Sequence, residues 1–462
     1  MTQRSILAAR HLALGQLCRW VLVCAAVLVY GHAGPMPVAG AQEQLDTSPP
    51  LRWWRGNTHT HSLWSDGDDF PEMIAAWYLE HGYNFLALSD HNVLSEGQRW
   101  MPLSAIVARG GQEAFPKYNA RFGKAWVETR GGPDESAMEV RLKPLDEFRG
   151  LVEQSGKFLM IPAEEISDKA EGKPVHMNAT NLQSVIKPLG GATVREVMEN
   201  NLRQVLEQER ETGREILPHL NHPNFGYGVT AEDLASVVAE RFFEVHNGHP
   251  GVNQLGDAQH PSIERMWDVA NTIRLQTLGA APLLGVATDD SHTYHGKPGA
   301  HTGRGWVMVR SRYLTPEHLI RAMKAGDFYA SSGVALVDVH FDMETDTLEI
   351  AIDPVEGESY RTDFIATRLP TKKADQSDAN ADPGSTVGGP LSLGGIMPED
   401  VGVVVATSED LSATYRLTGE ELYVRAVVTS SASPLDPSYP GQKKQAWTQP
   451  VIRAQSSGAV RN

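Results

Sequence analysis

From about residue 51 to 335 the chain alternates short apolar runs with stretches of helical period. Asp69–Phe70–Pro71 reads as a capped start for a helix over 71–82, and FLALS (85–89) as the strand that follows. Helical stretches at 144–155, 193–211, 230–238 and 261–277 lead into the apolar runs KFLMI (157–161), EILPHL (215–220), FFEV (242–245) and LLGVA (283–287). WVMVR (306–310), a helix over 316–325 and DFYAS (327–331) complete the series. Strands that alternate with helices predict parallel strands joined by crossovers, hence an α/β sheet or barrel. The segment 96–143 breaks the rhythm and reads as an insertion, a candidate lid. From about 336 the pattern changes to strand alternation alone, as in LEIAI and ELYVRAVVTS, which predicts a small β-rich C-terminal domain over 336–455. A Pro/Gly/Ser/Asp-rich stretch at 369–398 reads as a long loop, and 456–462 as a tail.

Histidines and acids gather where these apolar runs end. The clusters are NTHTHSLWSDG (57–67), FLALSDHN (85–92), KFLMIPAEEIS (157–167), GKPVHMNATNL (172–182), LPHLNHPNFGYG (217–228) and LLGVATDDSHTYH (283–295). Imidazole and carboxylate are the ligands of Zn, Mn and Fe, and their repetition at strand ends points to one multi-metal site. With a side-chain period of two, His59 and His61 share a strand face, and Asp66–Gly67 follows in a turn that can fold back to the same cation. Asp290 and His292 repeat that spacing, while the neighbouring Asp289 is expected to orient a ligand histidine. His222 precedes Pro223, where the chain is held extended, and is preferred over His219 as a ligand. Spacing leaves open which of Glu164 and Glu165 faces the metal.

Composition narrows the setting. The 462 residues contain two cysteines, Cys18 and Cys24, both inside an N-terminal segment that reads as a leader. Arg4, Arg10 and Arg19 precede or flank the short apolar run Val21–Val29, and Ala39–Gly40–Ala41 fits a small-residue cleavage site, so residues 1–41 are read as a removable export signal. The mature chain is expected to be periplasmic or secreted, with no membrane span. Cleavage would leave no thiol, so oxygen and nitrogen must hold any metal. It would also reduce the 41 basic residues to 38 against 57 acids, a formal charge of −19. Such a surface disfavours long nucleic acid as a partner. No phosphate-cradling glycine loop, Ser-His-Asp arrangement or dinucleotide fingerprint stands out.

These clusters resemble, in order and over roughly 55–335, the PHP (polymerase and histidinol phosphatase) superfamily of metal-dependent phosphoesterases. The family's opening motifs fall on His59, His61, Asp66, Asp90 and His91. Its bridging glutamate falls on Glu165, with Ala163 in place of glycine, and the next ligand on His176. The Ala-His-Pro histidine falls on His222, with Asn221 in place of alanine, and the closing Asp-x-His on Asp290 and His292. The resemblance implies a distorted (β/α)7 barrel carrying two or three divalent ions, Zn, Mn or Fe, at the C-terminal ends of its strands. His59, His61, Glu165 and Asp290 are then expected to hold one cation, Glu165, His176 and His222 a second, and Asp66, His91 and His292 a third. Two cations about 3.5–4 Å apart can share a water and lower its pKa toward neutrality. The export signal, RLKPLDEFR (141–149) and YVRAVVTSS look like the secreted branch that includes carbaryl-hydrolase-type enzymes.

Beyond the ligands, His246 is a candidate proton donor and Arg304 a candidate phosphate clamp. His249, His295 and His301 lie in loops that can border the pocket, and Trp100 and Trp126 can line a cleft. His81, His260, His318 and His340 carry no functional signal. The function expected is an exported phosphoesterase acting on a small phosphate mono- or diester. Its rivals are an ester, amide or carbamate hydrolase using the same metals, and a non-catalytic metal-binding barrel. An exonuclease role sits poorly with the acidic charge, and the sequence says nothing of oligomeric state.

Overall fold

The structure, a computed structural model, describes residues 48–132, 137–370 and 392–453. The leader with its arginines, cysteines and cleavage site, most of the 369–398 loop and the 456–462 tail lie outside the described residues. Chain order begins with β1 (Arg52–Asn57), α1 (Pro71–Glu80), β2 (Phe85–Leu88), β3 (Arg99–Pro102), α2 (Leu103–Gly110) and α3 (Ala114–Phe122). It continues through β4 (Thr129–Gly131), β5 (Met138–Leu142), α4 (Leu145–Val152), β6 (Leu159–Ala170), β7 (Lys173–Thr180), α5 (Val194–Thr212) and β8 (Leu217–Leu220). Then come α6 (Ala231–Ser236), β9 (Phe242–Asn247), α7 (Ile263–Thr272), β10 (Leu284–Thr288), β11 (Trp306–Ser311), α8 (Pro316–Ala325) and β12 (Phe328–Ser331). The last strands are β13 (Ala335–Asp342), β14 (Thr347–Asp353), β15 (Tyr360–Arg368), β16 (Val403–Ser408), β17 (Ser412–Arg416), β18 (Glu421–Ser430) and β19 (Gln445–Thr448).

One mixed sheet of 13 strands organises the molecule, in the order β10-β9-β8-β7-β6-β2-β1-β11-β12-β19-β18-β15-β16. Strands β1, β2 and β6 run parallel, as do β8, β9 and β10. Between them β7 is antiparallel to both β6 and β8, and β1 pairs antiparallel with β11. The all-parallel expectation therefore fails at two places, and the first has a local cause. Glu171 and Gly172, at φ +52° and +77°, make a two-residue turn between the paired Ala170 and Lys173, the geometry that joins antiparallel strands. The apolar run ends at Ile161, and β6 continues to Ala170 in that hairpin.

The sheet curves so that Trp54, Ala87, Ile161, Leu217, Phe242, Val286 and Val307 share one apolar interior, filled from α8 by Leu319, Ile320 and Met323. Closure through hydrogen bonds between β10 and β11 does not occur. Instead the Gln449 side chain accepts from Gly285 N and donates to Gly285 O, at 2.8 and 2.9 Å, covering the β10 edge. An open, curved mixed sheet thus stands where a closed seven-stranded barrel was expected. Helices α5, α6 and α7 bury Val197, Leu202, Leu234, Met266 and Trp267 on its outer face, and α1 and α4 bury Ile74, Tyr78 and Phe148 against β2 and β6. Helix α1 starts at Pro71 without a side-chain cap; Asp69 instead accepts from Phe70 N.

No break marks residue 336. Strands β19, β18, β15 and β16 extend the same sheet beyond β12, and β13-β14-β17 form a second layer over Tyr329, Ile350, Phe364 and Val428. The insertion forms its own antiparallel sheet, β3-β5-β4, packed with α2 and α3 on Trp64 and Phe70. Among the described residues no helix is long and apolar enough to cross a membrane.

Candidate metal centre

Strands β1, β2, β8 and β10 deliver polar side chains just past their C-terminal ends, and β6, β7 and β9 deliver them from within the strand. His59 and His61 lie just past β1, His91 just past β2, and Glu165 and His176 within the β6–β7 hairpin. His222 follows β8, Glu244 belongs to β9, and Asp290 and His292 follow β10. The fold therefore brings all nine sequence-selected ligand candidates to one place. Two of them pay in backbone strain: His222 has φ +23° and Asp290 φ +47°. Such conformations cost of the order of 1–3 kcal/mol each and persist where surrounding structure enforces them. The His222 value also departs from the extended conformation expected before Pro223. Gly67 is required in the Asp66 turn, because a Cβ there would lie 2.6 Å from the His61 carbonyl carbon.

The first group is the tightest. His59 Nε2 and His61 Nε2 are 3.1 Å apart, and each is 3.2 Å from Asp290 Oδ1. Glu165 adds Oε1 at 3.6 Å from His59 and Oε2 at 3.5 Å from His61. Ligands 2.0–2.1 Å from a tetrahedral cation are separated by about 3.3 Å, so these spacings fit one ion. In a second group Glu165 Oε1 lies 2.9 Å from His176 Nδ1 and 3.4 Å from His222 Nε2. In a third, Asp66 sits 3.4 Å from both His91 Nε2 and His292 Nε2, with His61 Nδ1 at 3.6 Å. Ligand atoms lie within metal-binding reach of one another in His59–His61–Glu165, in His91–Glu165–His176, in His61–Asp66–His91–His292 and in His59–His219–Glu244.

Electrostatics supports the fit. Burial acts against charge on His59, yet the Asp290, Glu244 and Glu165 carboxylates raise it well above an ordinary imidazole. Burial, reinforced by His292, pushes neighbouring His61 down to about 3. Glu165 and Asp290 are fully buried but held well below the usual carboxylate range by surrounding histidines. Ionised carboxylates thus surround facing imidazole nitrogens that cannot both be protonated, an arrangement that a cation satisfies.

One central residue escaped the sequence pattern. Glu244, fully buried on β9, accepts the Nδ1–H of His59 at 2.7 Å, which turns His59 Nε2 toward Asp290. It also accepts from His222 N, Asn247 Nδ2 and Thr288 Oγ1 at 2.7–2.8 Å. His219 Nε2 lies 3.6 Å from the same carboxylate, on the far side of His59 from the first group. The only available signal was its place in an otherwise apolar FFEV run, where a buried acid needs partners.

Asp289 does not orient a histidine. It accepts from Tyr78 OH at 2.6 Å and from the backbone N–H groups of Gly303, Arg304 and Gly305, pinning that loop. Glu164 points away from the cluster and accepts from Ile186 N, so Glu165 is the inward carboxylate. Asp90 accepts from Ser62 and Ser65 and shapes the turn that carries Asp66.

The two proposed catalytic helpers take other positions. Arg304 is bound bidentately by Asp436 at 2.9 and 3.0 Å and donates to Gly248 O and Gly299 O, leaving no fork for a phosphate. His246 stacks on Trp447 and pairs through Nε2 with Arg304 O, and burial lowers it to about 4. Neither geometry suits contact with a substrate on the metals. His249 does border the site, its ring edge-on to His292 at 5.6 Å. His301 instead joins the Arg304–Asp436 pair, and His295 faces Asp69. Trp126 donates to Glu72 and Trp100 stacks with Arg130, so both serve the insertion's own packing. The insertion reaches the site through Arg109, which donates to Ser65 O.

No family model and no curated protein matches the chain. Solved structures overlap it distantly. A two-domain protein of Bacteroides vulgatus, described as containing a predicted PHP-like metal-dependent phosphoesterase, shares 17% identity over 68% of this chain and 79% of its own, with a TM-score of 0.37. PsfC of Pseudomonas syringae shares 14% identity over 59% of this chain and 88% of its own, at 0.30. A chain of Bifidobacterium adolescentis described as a candidate metal-dependent phosphoesterase shares 13% over 55% and 92%, at 0.27. TM-scores below 0.5 do not establish a shared fold, and the chemistry that follows rests on the side chains themselves.

Proposed function

We propose that the chain is an exported PHP-type hydrolase that binds two or three divalent cations and cleaves a small phosphate mono- or diester. The observation that carries this reading is the convergence of His59, His61, Asp290 and Glu165 at tetrahedral-edge spacing, flanked by two further His/carboxylate groups. His59, His61, Glu165 and Asp290 would hold one cation, Glu165, His176 and His222 the second, and Asp66, His91 and His292 the third. Bound Zn, Mn or Fe would supply Lewis acidity, an activated water and neutralisation of charge developing on the substrate.

The protein's own part is positional. Glu244 fixes the His59 tautomer, and the strained backbone at His222 and Asp290 turns their side chains inward. Asp66 is 54% exposed and His91 28%, whereas His59, His61 and Glu165 are fully buried, so substrate enters over the third group. A leader resembling an export signal supports a periplasmic or secreted location.

One observation favours a second reading. Arg304, the guanidinium that the sequence offered for a phosphate, is consumed by Asp436. A carbonyl ester, amide or carbamate needs no such clamp. Elemental analysis of protein purified without chelators should find divalent metal bound to the chain. Assays with p-nitrophenyl phosphate, its bis ester and 1-naphthyl acetate then decide the electrophile. Turnover of the phosphate esters supports the first reading, and turnover of the acetate alone replaces it with the second. Metal-loaded protein inactive on all three would leave the non-catalytic metal-binding reading.

A further inference from the structure

Asn221 is the residue where the Ala-His-Pro pattern changes, and the metal chemistry gives it no role as a ligand. Its side chain is 1% exposed. The amide nitrogen donates to Glu165 Oε1 at 2.9 Å and to Asn178 Oδ1 at 2.9 Å. Its carbonyl oxygen accepts from Asn178 N at 3.2 Å. Asn178 is itself immobilised: its amide donates to Thr58 O at 2.8 Å and to Ser89 Oγ at 3.2 Å. Every polar atom of this buried pair is therefore engaged, and the chain of bonds runs from the β1 and β2 ends to one oxygen of Glu165.

That oxygen is the one on which two cation positions depend. Oε1 faces His176 Nδ1 and His222 Nε2 and lies 3.6 Å from His59 Nε2, while Oε2 lies near His61 Nε2 at 3.5 Å and His91 Nδ1 at 2.6 Å. A carboxylate free to rotate can turn both oxygens onto one cation. A hydrogen bond fixed at Oε1 opposes that rotation. We propose that the Asn178–Asn221 pair is a positioning device that keeps Glu165 spread between two cations and thereby sets how many ions the chain binds. The inference rests on the metal-centre reading above. Without the Asn221 donor, Glu165 would chelate the first ion and leave the second position to His176 and His222 alone.

The test is a chelator-competition titration with Zn2+ and with Mn2+, read together with metal content after dialysis. Asn221→Ala and the volume-matched Asn221→Leu should each weaken one cation by about 10–100-fold, the usual effect of removing a partner of a ligand, and retain one ion fewer per chain. The remaining sites should keep wild-type affinity. Retention of the ion by Asn221→Leu but not by Asn221→Ala would assign the effect to packing and overturn the proposal. Equal weakening of every site would do the same. Should both variants fail to fold, a crystal structure of metal-loaded wild-type protein decides: Glu165 with its two oxygens on different ions and Asn221 Nδ2 on Oε1 is expected, and chelation of one ion refutes it. Wild-type protein that binds no metal at all would instead remove the proposed function.

Discussion

At the scale of single residues, buried acids divide into two kinds. Glu244 is surrounded by donors, and its neighbours, His59 foremost, hold it ionised and well below the usual carboxylate range despite burial. Glu244→Ala is expected to lower cation affinity at the His59 position about 10–100-fold, read by competition with a chromogenic chelator; unchanged affinity would rule out its orienting role. Glu240 has only Arg241 N and Phe242 N on one oxygen, and burial pushes it up to about 7 from an ordinary 4.5. Between those values the folded state holds a proton that the unfolded chain has released. Stability therefore falls as pH rises from about 4.5 to 7 and stays lower above, by up to about 3 kcal/mol. Glu240→Gln, which resembles the protonated acid, should match the wild type in urea unfolding at pH 4.5 and exceed it at pH 8. Equal midpoints at both pH values would contradict the cost assigned to burial.

Elements show why a periodic pattern can be right about type and wrong about direction. The helix over 316–325 and the strands around 85–88, 242–247 and 284–288 follow their amphipathic or apolar periods. The direction of β7 does not, because Glu171–Gly172 is a turn whose handedness, rather than its hydropathy, reverses the chain. The insertion is tied to α1 by a buried acid. Glu72 of α1 accepts from Tyr118 OH at 2.6 Å and Trp126 Nε1 at 2.9 Å. Glu72→Ala removes the acceptor of Tyr118 OH and the nearer of the two acceptors of Trp126 Nε1, at a cost of about 1–3 kcal/mol, and should raise amide exchange across α3 while β6 and β9 stay protected. Exchange rising equally in all three would mean that Glu72 supports the whole sheet.

For the whole molecule, the strands after 336 are bound to the site-bearing half by a buried ion pair. Arg425 of β18, 1% exposed, grips Asp268 of α7 through two bonds of 2.8 Å, lies over the Trp267 ring, and Tyr423 OH adds a 2.6 Å bond to the same carboxylate. Asp268→Ala leaves the buried Arg425 guanidinium only a 3.4 Å contact with Glu264, so a loss of about 3–5 kcal/mol is expected in equilibrium unfolding. Because one sheet runs through both halves, wild-type protein should unfold in a single transition by fluorescence and circular dichroism. Two separated transitions would restore the independent C-terminal domain that the change of pattern at 336 suggested.

The sequence alone singled out the candidate ligand side chains. Histidine and carboxylate at the ends of apolar runs are conspicuous because both are costly to bury without a purpose. All nine selected side chains meet in the fold, and the choice between Glu164 and Glu165, open in the sequence, follows from the pleat of β6. Only the tertiary structure decided what supports them. Glu244 and Asn221 act on His59 and Glu165 across separations of 185 and 56 residues, and such pairs leave no local period to read. The same reason draws Arg304 and His246 into other contacts, since Asp436, in the loop between β18 and β19, and Trp447, on β19, lie beyond 336, where the pattern predicts another domain. Ligand identity follows from side-chain chemistry, which the sequence states outright. Ligand orientation follows from long-range hydrogen bonds, which exist only once the chain has folded.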